Sequence, residues 1–120
     1  MKNLAPEIFR QRLLIEGFFN IEVTREVLAN YLKEIAEHLE VRSYGEAVIF
    51  SPSSGMGKEE NQGFDAFLPL IDSGISAYIW SYHKFFSIFL YTCKGFNEEA
   101  AISFTKDFFQ VEGEITSQSI

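Results

Sequence analysis

Three short runs carry the side chains able to do chemistry. Asp72-Ser73-Gly74 places a carboxylate and a hydroxyl in turn composition, Tyr78-Ile79-Trp80 adds a phenol and an indole, and Tyr91-Thr92-Cys93 ends on the sole thiol of the chain. Taken alone, a serine in such a run is ordinarily a turn residue, and a single cysteine is ordinarily a small buried side chain rather than a nucleophile. Other signals build no site. Gly55-Met56-Gly57-Lys58-Glu59 has the outline of a phosphate-binding loop, but the first glycine of that spacing falls on Pro52 and the hydroxyl position on Glu59. His38 and His83 stand far apart and share no ligand spacing with Cys93, so no metal is expected. Glu59-Glu60 and Glu98-Glu99 read as solvated charge, the second pair at a helix start where the dipole favours acids.

The elements that must position these residues follow from periodicity. Leu13, Leu14, Ile15, Phe18 and Phe19 form an apolar run within residues 10–19, compatible with a first strand buried on both faces. Thr24 can cap a helix in which Val27, Leu28, Tyr31, Leu32, Ile35 and Leu39 recur at three-and-four spacing. Residues 47–51 read as a strand, and residues 52–63, rich in Pro, Ser, Gly and charge, as a long loop. Residues 64–71 and 75–82 flank Asp72-Ser73-Gly74 and should pair as a hairpin, with 85–92 as a further strand. Asn97 can cap a second helix through Phe108, with Ala101, Phe104 and Phe108 on one face, and residues 111–115 alternate like a final strand. Two helices separated by runs of antiparallel strands imply an α+β two-layer sandwich, one sheet with both helices on one face. The other, apolar face would then need a partner.

Composition bounds the function. The 120 residues suit one domain spanning the whole chain, with 47% hydrophobic residues for its core. A net charge of -7 repels phosphate backbones and anionic lipid, so neither nucleic acid nor a membrane surface is expected as a partner. Thirteen Phe, five Tyr and one Trp exceed what one small core needs, which suggests a pocket or a homodimer contact. The lone cysteine suits a reducing compartment, and with no apolar leader and no apolar stretch of about 18 residues, a cytoplasmic location is expected.

Taken in register, Ser73, Trp80, Thr92 and Cys93 resemble the core of the S-adenosylmethionine decarboxylase family, where Glu-Ser-His is followed by His-Thr-Trp-Pro-Glu and Phe-Thr-Cys-Gly. Phe50-Ser51-Pro52 is similar to the family's Phe-Ser-Pro segment, and the element layout agrees over residues 10–115. The resemblance implies that Ser73 attacks the carbonyl of Asp72, that the ester undergoes β-elimination, and that cleavage between Asp72 and Ser73 leaves a pyruvoyl cofactor derived from Ser73. That group would serve as the electron sink for loss of carbon dioxide, with Cys93 as proton donor. It further implies Phe50, Trp80 and Tyr82 at the binding site for an S-adenosylmethionine-like ligand.

The chain departs from the family at its helpers. Tyr78 replaces the processing histidine, Asp65 replaces the processing serine, Ser81-Tyr82 replaces Pro-Glu and so removes the ribose-holding carboxylate, Gly74 replaces a histidine and Phe89 an aspartate. A phenol with a reference pKa near 10 is a poor base at neutral pH. The expectation is therefore a polyamine-biosynthesis relative that stays uncleaved and acts by binding or regulation. The alternatives are an active pyruvoyl-dependent decarboxylase of S-adenosylmethionine or another amino acid, and a structural dimer without ligand.

Overall fold

The computed structural model describes residues 1–51 and 62–120. Its elements are β1 (Gln11–Phe18), α1 (Arg25–His38), β2 (Val48–Phe50), β3 (Gly63–Leu70), β4 (Ser73–Trp80), β5 (Phe85–Thr92), α2 (Glu98–Phe108) and β6 (Thr116–Ser119). The strands form one sheet in the order β2-β3-β4-β5-β1-β6 with every neighbouring pair antiparallel. This is the expected α+β two-layer sandwich. Most of the long loop expected at 52–63, with the Gly57-Lys58 run, lies outside the described residues, and Gly63 already belongs to β3.

Strand alternation sorts the side chains into two faces. Leu13 and Ile15, Leu68, Ile75 and Ala77, and Ile88 and Leu90 share one core with Leu28, Leu32 and Ile35 of α1 and with Ala101 and Phe109 at α2. Burying each of those α1 side chains contributes on the order of 1.5–3 kcal/mol. Both caps form as the sequence suggests: Thr24 Oγ1 accepts from Val27 N–H at 3.1 Å and Asn97 Oδ1 from Ala100 N–H at 2.9 Å. Each helix then ends through a residue at positive φ, Glu40 at 57° and Gln110 at 51°, whose successors Val41 and Val111 donate back to Ala36 and Lys106.

Four local expectations change. β1 is buried on one face only, because Leu14 and Glu16 point to the half-exposed opposite face. The final strand is Thr116–Ser119 rather than 111–115: Val111 is taken by the α2 exit, and β6 pairs polar residues along an outer edge where no side chain must be buried. On α2 the fully buried face is Ala101 and Thr105, with Phe104 and Phe108 packed at its margin beside Tyr31. The β3–β4 loop is Ile71-Asp72, so Ser73 and Gly74 are strand residues paired with Leu70 and Pro69.

Candidate active site

Two-residue hairpin loops need positive φ to match strand twist. Here neither loop residue takes it; Ser73 does, at φ 128°, a conformation costly for any residue with a Cβ. Ser73 opens β4 opposite Thr92 of β5, so Cys93 follows directly on its cross-strand partner. The residue before it is held twice. Asp72 is buried, and its carboxylate accepts from the backbone N–H of Arg42 at 3.3 Å and from its guanidinium at 3.2 Å. The hydrogen bond from the Arg42 side chain, opposed by desolvation, holds the Asp72 carboxyl below its ordinary value. The same carboxylate favours the charged guanidinium.

The carbonyl of Asp72 accepts separately, from the backbone N–H of Cys93 at 2.8 Å. A donor on that oxygen withdraws charge from the carbonyl carbon and would support negative charge there if a hydroxyl added to it. The turn bearing Cys93 is fixed by Gln11, whose side-chain amide exchanges two 2.9 Å bonds with the backbone of Phe96, and by the buried Thr92 hydroxyl, which donates to the Lys94 carbonyl at 2.6 Å. The thiol itself is exposed. Asp72, Ser73 and Cys93 therefore share one corner of the sheet, joined through the backbone.

The remaining expected residues lie elsewhere. Asp65 and Tyr78 are cross-strand partners on the open face, and Phe50 pairs with Asp65 from β2. With Phe67 and Ser76 they line a shallow hollow of about 380 Å³. Tyr78 lies five residues along β4 from Ser73, about 17 Å at strand rise. Trp80 is farther, at the opposite end of β4 against the ring of Phe85 at 5.5 Å, and Tyr82 is 62% exposed in the next turn beside His83. Within one chain, then, Ser73 and Cys93 come together, Phe50, Asp65 and Tyr78 come together, and the two groups do not meet. Gly74 has its own structural reason: a Cβ there would lie 2.5 Å from the Phe67 ring, which crosses above it. Phe89 sits on the open face beside Tyr91, and His38 stacks on Phe104 at 5.0 Å.

Arg42 and Gln11 were not indicated by the sequence as site residues. Their partners lie 30 and 85 positions away, and neither occurs in a spaced motif.

No protein-family model matches the chain, and no curated protein sequence does. Among solved structures, the crystal structure of the adenosylmethionine decarboxylase from Aquifex aeolicus VF5 superposes with a TM-score of 0.71 at 15% identity, covering 94% of this chain and 89% of that one. The chain has an adenosylmethionine decarboxylase-like fold. At that identity the likeness concerns the fold, and the side chains at the corner are this chain's own. Among the described residues no helix is long and apolar enough to cross a membrane.

Proposed function

We propose that this chain is an S-adenosylmethionine decarboxylase-like protein that remains intact and binds a planar, cationic metabolite of the S-adenosylmethionine kind between the open faces of two copies. The observation that carries the reading is the open-face hollow. Phe50 and Phe67, 66% and 45% exposed, flank the carboxylate of Asp65 and the phenol of Tyr78. Aromatic faces beside a carboxylate suit a heteroaromatic ring and an adjacent positive charge. Self-cleavage is disfavoured because a carboxylate and a phenol replace the hydroxyl and imidazole that the family resemblance assigns to processing, and catalytic sets that act as a unit fail together. A homodimer would cover the exposed apolar side chains of that face, Phe18, Val48, Phe50 and Phe67. The metabolic setting is polyamine biosynthesis and the compartment the cytoplasm.

The second reading, a pyruvoyl-dependent decarboxylase, is favoured by the Ser73 corner. Strain at Ser73 and a donor on the Asp72 carbonyl are what an attack of the Ser73 hydroxyl on that carbonyl would use, and Cys93, whose backbone supplies that donor, is the acid the family resemblance assigns. A pyruvoyl group formed there would supply the electron sink for decarboxylation.

Intact mass under denaturing conditions separates the two. A single full-length species is expected. Fragments 1–72 and 73–120, the second lacking a free N-terminal amine, would establish processing instead. Thermal unfolding with and without S-adenosylmethionine then tests binding, since a ligand that binds only the folded chain raises its midpoint. An unchanged midpoint at saturating ligand would leave a scaffold dimer.

A further inference from the structure

On the helix side of the sheet, away from the open face, α1 and the chain leading into β2 border a solvent-open hollow of about 740 Å³. Small-molecule sites commonly measure about 300–1,000 Å³. One wall is a stripe of α1, Arg25, Ala29 and Lys33 at four-residue spacing, with Asn30 alongside. The other is Ser43, Glu46, Ala47 and Ile49, and the buried side chain of Leu68 lies beneath.

The chemistry of this lining is specific. Among the charged side chains that line the hollow, two are cations, Arg25 and Lys33, and one is a carboxylate, Glu46, an excess of positive charge in the lining of a molecule whose net charge is -7. Arg25 is already oriented, because its Nη1 donates to the carbonyl of Ile49 and ties helix to edge strand across the hollow. A guanidinium carries five N–H donors in a fixed fork, and this bond uses one of them. Ala29, between the two cations on the stripe, adds no bulk to the space they frame.

We propose that this hollow binds a small organic anion, a carboxylate or phosphate. Arg25 and Lys33 meet its charge, Asn30 and Ser43 supply neutral hydrogen bonds, and Ala47, Ile49 and Leu68 support its carbon skeleton. The site is independent of any reaction at Ser73. Its second wall nevertheless continues into that corner, since Ser43 bridges to Leu70 and the adjacent Arg42 grips Asp72.

The test is a titration of the full chain with inorganic pyrophosphate and, separately, with succinate, at constant ionic strength, followed by backbone amide chemical shifts. Saturable shifts confined to residues 25–33 and 42–49 are expected. A tighter response to pyrophosphate assigns phosphate recognition, and a tighter response to succinate assigns carboxylate recognition. Lys33→Glu, at an exposed position where folding is not at stake, should weaken binding roughly tenfold or more by replacing a charge-assisted bond with repulsion. Ala29→Trp, which fills the hollow without changing charge, should abolish binding; if it prevents folding, the Lys33 variant decides. The proposal is overturned by the absence of saturable shifts with both probes, by shifts that map elsewhere, or by unchanged affinity in Lys33→Glu.

Discussion

Asp72 is used twice at the scale of single residues, its side chain for structure and its carbonyl for chemistry. Because Arg42 depresses the Asp72 carboxyl, the ion pair contributes stability that is fully present above the unfolded-state value near 3.9 and is lost as pH falls through the lower folded value. With the Arg42 side chain 64% exposed, solvent screens the pair and its contribution is modest. Asp72→Asn should therefore unfold at lower urea than the parent at pH 7, with the two midpoints converging as the pH is lowered past the carboxylate range. A gap independent of pH would mean that the pair is not what stabilises the corner. Ser73 poses the opposite test. Glycine adopts φ 128° without the Cβ penalty, so Ser73→Gly is expected to raise unfolding free energy by about 1 kcal/mol, strain relief exceeding the entropy that glycine adds to the unfolded chain. A loss of stability would show that the serine side chain makes compensating contacts.

Among the elements, the helices show what was legible in the sequence. Thr24 and Asn97 announced both N-termini, and the three-and-four spacing of Leu28, Tyr31, Leu32 and Ile35 announced the buried face of α1, because capping and amphipathic burial are local rules. Thr105 could not be read that way. Its hydroxyl donates to Ala101 at 2.8 Å and lies 2.7 Å from the phenol oxygen of Tyr31, joining α2 to α1 in the core. Burial pushes the Tyr31 phenol up, which keeps it neutral, and the bond to Thr105 opposes that only partly. Tyr31→Phe removes one partner while Thr105 keeps its bond to Ala101, and should cost about 1 kcal/mol. Thr105→Val leaves a buried phenol unpaired and should cost more, about 1–3 kcal/mol. Paired chemical denaturation curves measure the difference, and equal costs would mean that the phenol finds another partner. The β3–β4 corner was legible in composition but not in register: Asp-Ser-Gly signals a turn, whereas placing the loop at Ile71-Asp72 depends on Leu68 facing Ile75 and Leu70 facing Ser73 across the hairpin. The ion pair that fixes the corner was invisible for the same reason, since Arg42 follows a helix 30 residues upstream.

The whole molecule presents a sheet with one face covered by helices and one apolar face open, and that asymmetry makes the strongest case for a second copy. The open face also carries opposite charges. Arg12 lies in the row of Tyr91 and Gly74, while Asp65 lies in the row of Tyr78, Ser87 and Glu16. Among the described residues the buried Nε of Arg12 is without a hydrogen-bond partner, while the residue as a whole is half-buried, so it is the accessible part of the side chain that a carboxylate on a facing sheet would meet. In a symmetric dimer each copy offers both charges, so a contact between Arg12 of one copy and Asp65 of the other would occur twice, and a cationic ligand would compete with Arg12 for that carboxylate. The charge-swap cycle tests this directly by sedimentation. Arg12→Glu alone and Asp65→Arg alone each oppose like charges and should shift the protein toward monomer, whereas the double swap restores two attractive contacts and should recover the dimer. Failure of the double variant to recover, with both single variants monomeric and folded, would place the partner of Arg12 elsewhere on the open face. A parent protein that sediments as a monomer would remove the dimer itself, and with it any contact of Asp65 and Tyr78 of one copy with Ser73 and Cys93 of another.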